Sequence, residues 1–152
     1  MAPLILVRSD HRDGAPAARV LRGLAKKFLA SLRLSQAQVS IVVTTDRRIR
    51  AVNREWRDKD QATDVLSFPA ARVPGPKEWG RPLGDVVISL DTARRRARED
   101  ERALKDELAR YLAHGLLHLL GHDHQDAAQA RKMARAEAKL LGAAGMVLGP
   151  SE

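Results

Sequence analysis

The chain has 152 residues, 44% of them hydrophobic and 30% charged, which suits one folded domain with a substantial core and excludes a disordered polyelectrolyte. It has no cysteine, so disulfides, thiolate metal sites and cysteine nucleophiles are excluded, and any metal must be held by His, Asp or Glu. The net charge is +8, and the excess is uneven, with 13 basic against 6 acidic residues in 1–60 and 14 against 13 in 61–152. Such an excess favours polyanions through counterion release, so nucleic acid is the expected class of partner; aromatic residues are only 3%, and no base-stacking platform is evident.

In chain order, MAPLILVRSDHRDG has a short apolar run with no charged region before it. It does not read as a secretory signal, and no apolar stretch is long enough to span a membrane, so a cytoplasmic protein is expected. Residues 3–8 read as a first strand and 9–16 as a turn-rich connection. Val20, Leu21, Leu24, Phe28, Leu29 and Leu32 recur at helical spacing over 17–34. The β-branched run 39–44 predicts a second strand, and Asp46 is a candidate cap for a helix carrying Ile49, Val52 and Trp56.

Residues 63–68 read as a strand stopped by Pro69, and 70–83, rich in Pro and Gly, as a mobile loop. Residues 84–90 predict another strand, and Asp91 a cap for a helix bearing Arg94, Arg95, Arg96 and Arg98. Glu99, Asp100 and Glu101 follow that basic run, which predicts a salt-bridged exposed helix rather than an RNA groove. A helix from about Ala103 to Leu120 and a last one from an Asp126 cap to Leu141 complete the pattern, with 142–152 as a loosely held tail. Strands and helices do not alternate strictly. The expected fold is therefore α+β, one domain over 1–152, with a small mixed sheet of about four strands packed by about five helices.

Four of the five histidines fall within residues 114–124, HGLLHLLGHDH. His114 and His118, four apart, share one face of a helix. Gly121 suits a left-handed helix end, after which a returning chain can bring His124 beside the first two. Three imidazoles around one point suit zinc, about one per chain, and leave a fourth position open, the pattern of a catalytic rather than a structural site. Leu116, Leu117, Leu119 and Leu120 read as ordinary core residues.

The spacing is that of a zinc-peptidase helix with one difference: where such enzymes carry a glutamate as general base, this chain has Gly115. A zinc held by three histidines still acidifies water, so hydrolysis survives while the peptidase reading loses its base. Asp123 is placed either to orient an imidazole or to cap the turn. A phosphodiester target needs a cation for phosphoryl charge, and the stretch NREWRDKDQATDVLSFP supplies Arg54, Arg57 and Lys59, among which composition does not choose.

Together NREWRDKDQATDVLSFP, GDVVI and HGLLHLLGHDH resemble the YbeY family of bacterial metallo-endoribonucleases, in the family's order and over nearly the whole chain. The resemblance implies a small α+β fold with a zincin-like metal helix, zinc on His114, His118 and His124, and single-strand-specific RNA cleavage. It also implies a role in ribosomal RNA processing, notably maturation of the small-subunit (16S) RNA 3′ end, and in ribosome assembly and quality control. The expected partners are precursor ribosomal RNA, the small ribosomal subunit and its assembly factors, with neither DNA nor membrane. The family's functional arginine falls on Arg57. His122 stands where tyrosine is usual and adds a competing imidazole; Ala62 stands where proline is common. The alternatives are a zinc peptidase-like hydrolase and an assembly factor in which zinc only holds the fold.

Overall fold

The computed structural model describes residues 2–71 and 80–146. Its elements run β1 (Leu4–Ser9), α1 (Ala15–Ser31), β2 (Ala37–Thr44), α2 (Asp46–Arg57), β3 (Val65–Pro69), β4 (Arg81–Ser89), α3 (Leu90–Glu99), α4 (Leu104–Leu119) and α5 (Ala127–Ala143). The sheet order is β1-β2-β4-β3, with the first two pairings parallel and β3 antiparallel at the edge. This is the expected α+β arrangement, a four-stranded mixed sheet with five helices.

Period-two alternation sends Ile5, Val39, Ile41, Val43, Val86 and Ile88 to one face, where they meet Leu21, Leu24, Phe28 and Leu29 of α1. Across the core lies α4, in which Leu108, Ala109, Leu112, Ala113, Gly115, Leu116 and Leu117 are all buried. A helix apolar on so much of its circumference must be enclosed, and α1, α3, α5 and the sheet surround it. The histidine helix is thus the central helix of the molecule.

Several boundaries differ from the sequence expectation. Strand β4 begins at Arg81, three residues before Gly84, within the segment expected to be a loop; residues 72–79 of that segment lie outside the described residues. Thr45 rather than Asp46 caps α2, its Oγ1 accepting from the Arg48 N–H at 3.2 Å. Asp46 accepts instead from the Ser89 and Thr92 hydroxyls, each at 2.6 Å. Ser89 rather than Asp91 caps α3, and Asp91 accepts from the Asp46 N–H and from the His11 ring. These carboxylates tie α2, α3 and the end of β1 together, a tertiary role that local capping statistics do not reveal.

Asp126 caps α5 as expected, accepting from the Gln129 N–H. That helix continues to Ala143, two residues past the expected Leu141, and the partly buried Met146 packs against the core; 147–152 lie outside the described residues. Arg94, Arg95 and Arg96 of α3 are salt-bridged, but to Asp13, Asp46 and Asp64 elsewhere in the chain rather than to the acidic residues that follow them, and Arg98 donates to the Arg94 carbonyl.

Candidate metal and phosphate site

Helix α4 brings His114 and His118 onto one side, with His118 Nε2 at 3.0 Å from His114 Nε2. The helix then closes as the glycine spacing predicts. Gly121 has φ +95°, its N–H donates to the His118 carbonyl, and the His122 N–H donates to the Leu117 carbonyl. The reversal places His124 beside the pair, its ring centroid 5.9 Å from that of His114 and 5.4 Å from that of His118. One nitrogen from each of the three rings lies within 4.8 Å of the others, a group that could hold a metal ion. His124 is exposed, while His114 and His118 are partly buried.

His114 Nδ1 lies 2.7 Å from Glu137 Oε1, across from α5. A carboxylate only accepts, so Nδ1 carries the proton and the Nε2 lone pair turns toward His118. Burial and the two neighbouring imidazoles push the His118 pKa down, which keeps a lone pair available at neutral pH. Donor type, spacing and the fixed tautomer all fit a divalent cation of borderline softness such as zinc.

The other imidazole stands apart. His122 lines a separate concavity with Gln129 and Lys132 and is not one of the three clustered rings. Of the two roles open to Asp123, the structure shows the cap: its Oδ1 accepts from the His124 N–H at 2.7 Å.

Beside the histidines runs a cleft of about 200 Å³ lined by Arg57, Val65, Leu66, Ser67, Pro69, His114 and His118. Arg57 is the last residue of α2, which ends there because Asp58 takes a left-handed conformation with φ 56°. The buried Asn53 fixes the following turn, its Nδ2 donating to the Gln61 carbonyl. Arg57 Nη2 donates to the Ser67 carbonyl at 2.6 Å, and the guanidinium lies 5.3 Å from the centroid of the Phe68 ring. No ion pair involving Arg57 is found among the described residues, so its remaining N–H groups face the cleft uncompensated. Arg54 sits 3.9 Å from Asp60 instead, and neither Arg54 nor Lys59 lines the cleft.

A family model described as Endoribonuclease YbeY matches residues 9–145. The endoribonuclease YbeY of Anaeromyxobacter dehalogenans is 60% identical over 144 residues, covering 95% of this chain and 73% of that protein. The chain belongs to the YbeY endoribonuclease family. Its similarity to the YbeY of Myxococcus xanthus is 53% identity over 143 residues, covering 94% of this chain and 49% of that one. The fold also resembles the solution structure of TM1509 from Thermotoga maritima, with a TM-score of 0.59 at 22% identity over 91% of this chain and 90% of that one.

The geometry explains how this YbeY chain departs from a zinc peptidase. A Cβ at position 115 would stand 2.8 Å from Val86 Cγ1 and 3.2 Å from Ser67 Oγ, and Ser67 Oγ donates to the Gly115 carbonyl. The position that a peptidase gives to its glutamate is pressed against the sheet. Gly115→Glu is therefore expected to prise α4 from β3 and β4 rather than create a peptidase. Overpacking and a buried carboxylate together cost on the order of 3 kcal/mol or more, a fall of about 10 °C in thermal midpoint. An unchanged midpoint by calorimetry, with new casein hydrolysis, would contradict this.

Two contributors escaped the sequence reading, Glu137 and Asn53. The motif SDHRDG holds the fifth histidine, His11, which pairs with Asp91 at 2.8 Å far from the cluster in sequence and takes no part in it.

Proposed function

We propose that the chain is a zinc-dependent endoribonuclease that cuts single-stranded RNA, with His114, His118 and His124 as metal ligands and Arg57 as the phosphate-binding residue. One observation carries the reading: two of the three clustered histidines, His114 and His118, line the same cleft as Arg57, which has no ion pair among the described residues. Family membership supports RNA as the substrate. When bound, zinc supplies Lewis acidity, lowering the pKa of water and taking up phosphoryl charge.

The chain's own residues do the rest. Glu137 holds the His114 ring in the tautomer that offers Nε2. Arg57, held between the Ser67 carbonyl and the Phe68 ring, presents a planar fork suited to paired phosphate oxygens. Val65, Leu66 and Pro69 contribute apolar surface to the cleft wall. No carboxylate lines the cleft among the described residues, so nothing there replaces the peptidase base.

The cellular role that fits is ribosomal RNA processing in the cytoplasm, at the 3′ end of the small-subunit RNA, with the small subunit and its assembly factors as partners. No helix of the described residues is long and apolar enough to cross a membrane. The test of substrate class is digestion of matched single-stranded RNA, single-stranded DNA and casein. Cleavage of RNA alone, abolished in His118→Ala, is expected. Casein hydrolysis, or RNA cleavage that persists in His118→Ala, would overturn the assignment.

A further inference from the structure

Helices α1 and α4 pack on one face of the sheet, and much of the other, where Trp56 of α2 lies, is open. Its rows follow from the strand register. Leu6, Ser40, Asp85 and Phe68 lie side by side, and Arg8, Val42, Val87 and Leu66 form the next row. All of these but Leu66 line a concavity of about 850 Å³, together with Trp56 of α2. The exposed large hydrophobic residues among the described ones are Leu4, Leu6 and Trp56, exposed by 51%, 58% and 68%. Leu4 and Leu6 point to this face by alternation, and Leu6 and Trp56 border the same concavity.

We propose that this open face is a nucleobase-binding subsite for the single strand passing through the histidine cleft, with the Trp56 indole as its stacking surface. The inference rests on the endoribonuclease reading. Continuity is the first argument. Arg57 lines the cleft and lies against the Phe68 ring, while Phe68 and the adjacent Trp56 line the open face. A strand whose phosphate sits at Arg57 therefore has its neighbouring nucleotides beside Trp56.

Charge placement is the second. Arg8 and Arg22 also border the concavity, while its floor holds apolar side chains and one exposed carboxylate, Asp85. A carboxylate repels phosphate but accepts from exocyclic amino groups, so bases fit the floor and the backbone fits the arginines. Most of the Trp56 ring is already free to meet a base, and stacking tolerates any base sequence. It also revises the expectation from composition, because one well-placed indole supplies the platform that a low aromatic content hides.

The test uses the intrinsic fluorescence of the protein, which has two tryptophans. Trp79→Phe leaves Trp56 as the sole emitter. Titration with a cleavage-resistant 2′-O-methyl phosphorothioate single strand should quench that emission saturably, whereas inorganic polyphosphate should not. In cleavage assays Trp56→Ala should raise KM about tenfold with kcat unchanged, and Trp56→Tyr should restore most of the loss. The slope of affinity against salt should stay as in the parent, because no phosphate contact is removed. Binding without quenching, or Trp56→Ala with the parent KM, would overturn the subsite and leave the face to a protein partner. Failure of the parent to cleave RNA would instead overturn the endoribonuclease reading, and the quenching titration would still decide the subsite.

Discussion

Alanine at His114, His118 or His124 is expected to remove nearly all of the zinc, about one equivalent per chain, and to reduce RNA cleavage by about a thousandfold or more. One nitrogen from each of the three rings lies within 4.8 Å of the others, and a set of three has no redundancy. Losing a Lewis acid worth several kcal/mol of charge stabilisation corresponds to rate losses of that order. His122→Ala should keep both metal and activity, because its ring lies in a different concavity. Glu137→Gln falls between these outcomes. It keeps the shape but weakens the acceptor that fixes the His114 ring, and it should lower metal affinity by about 10–100-fold. Elemental analysis of the purified variants reads all of these. Full zinc in His124→Ala, with loss in His122→Ala, would reassign the third ligand.

The second large effect is at Arg57. Arg57→Ala should retain zinc and fold while cutting RNA about a hundredfold more slowly, the cost of losing a preorganised charge partner for the phosphoryl group. Arg57→Lys should recover only part of this, because an ammonium cannot make the paired contact. Arg54→Ala is the control for lost charge, since that arginine lies near Asp60 and outside the cleft. The variant also gives up the hydrogen bond to the Ser67 carbonyl, so a modest fall in thermal midpoint is expected alongside the rate effect. Wild-type cleavage by Arg57→Ala, or loss of its zinc, would show that cleft and metal group do not form one site.

What the sequence made legible was local. The H-x-x-x-H-x-x-G-x-x-H spacing encodes a helix face, a left-handed stop and a return, and each is realised at His114, His118, Gly121 and His124. The capping assignments at Asp46 and Asp91 failed because each has a neighbour that caps, Thr45 and Ser89, while its own carboxylate is recruited by a distant element. Glu137 was invisible for a related reason. Nothing in the chain between residues 114 and 137 announces that α5 will lie against the histidine helix. Composition could not choose among Arg54, Arg57 and Lys59; the cleft separates them, because only Arg57 is turned onto the edge strand beside the histidines. Gly115 read as a missing base, and the structure adds that the helix meets the sheet at that residue.

The most direct test of the central claim is RNA cleavage measured before and after metal removal and zinc return, with folding followed on the same samples by circular dichroism. The account predicts that chelated protein stays folded and loses cleavage of single-stranded RNA, and that about one equivalent of zinc restores it. Cleavage that continues at full rate in metal-free, folded protein would contradict a metal-dependent nuclease. Unfolding on chelation would assign the three histidines to holding the structure instead.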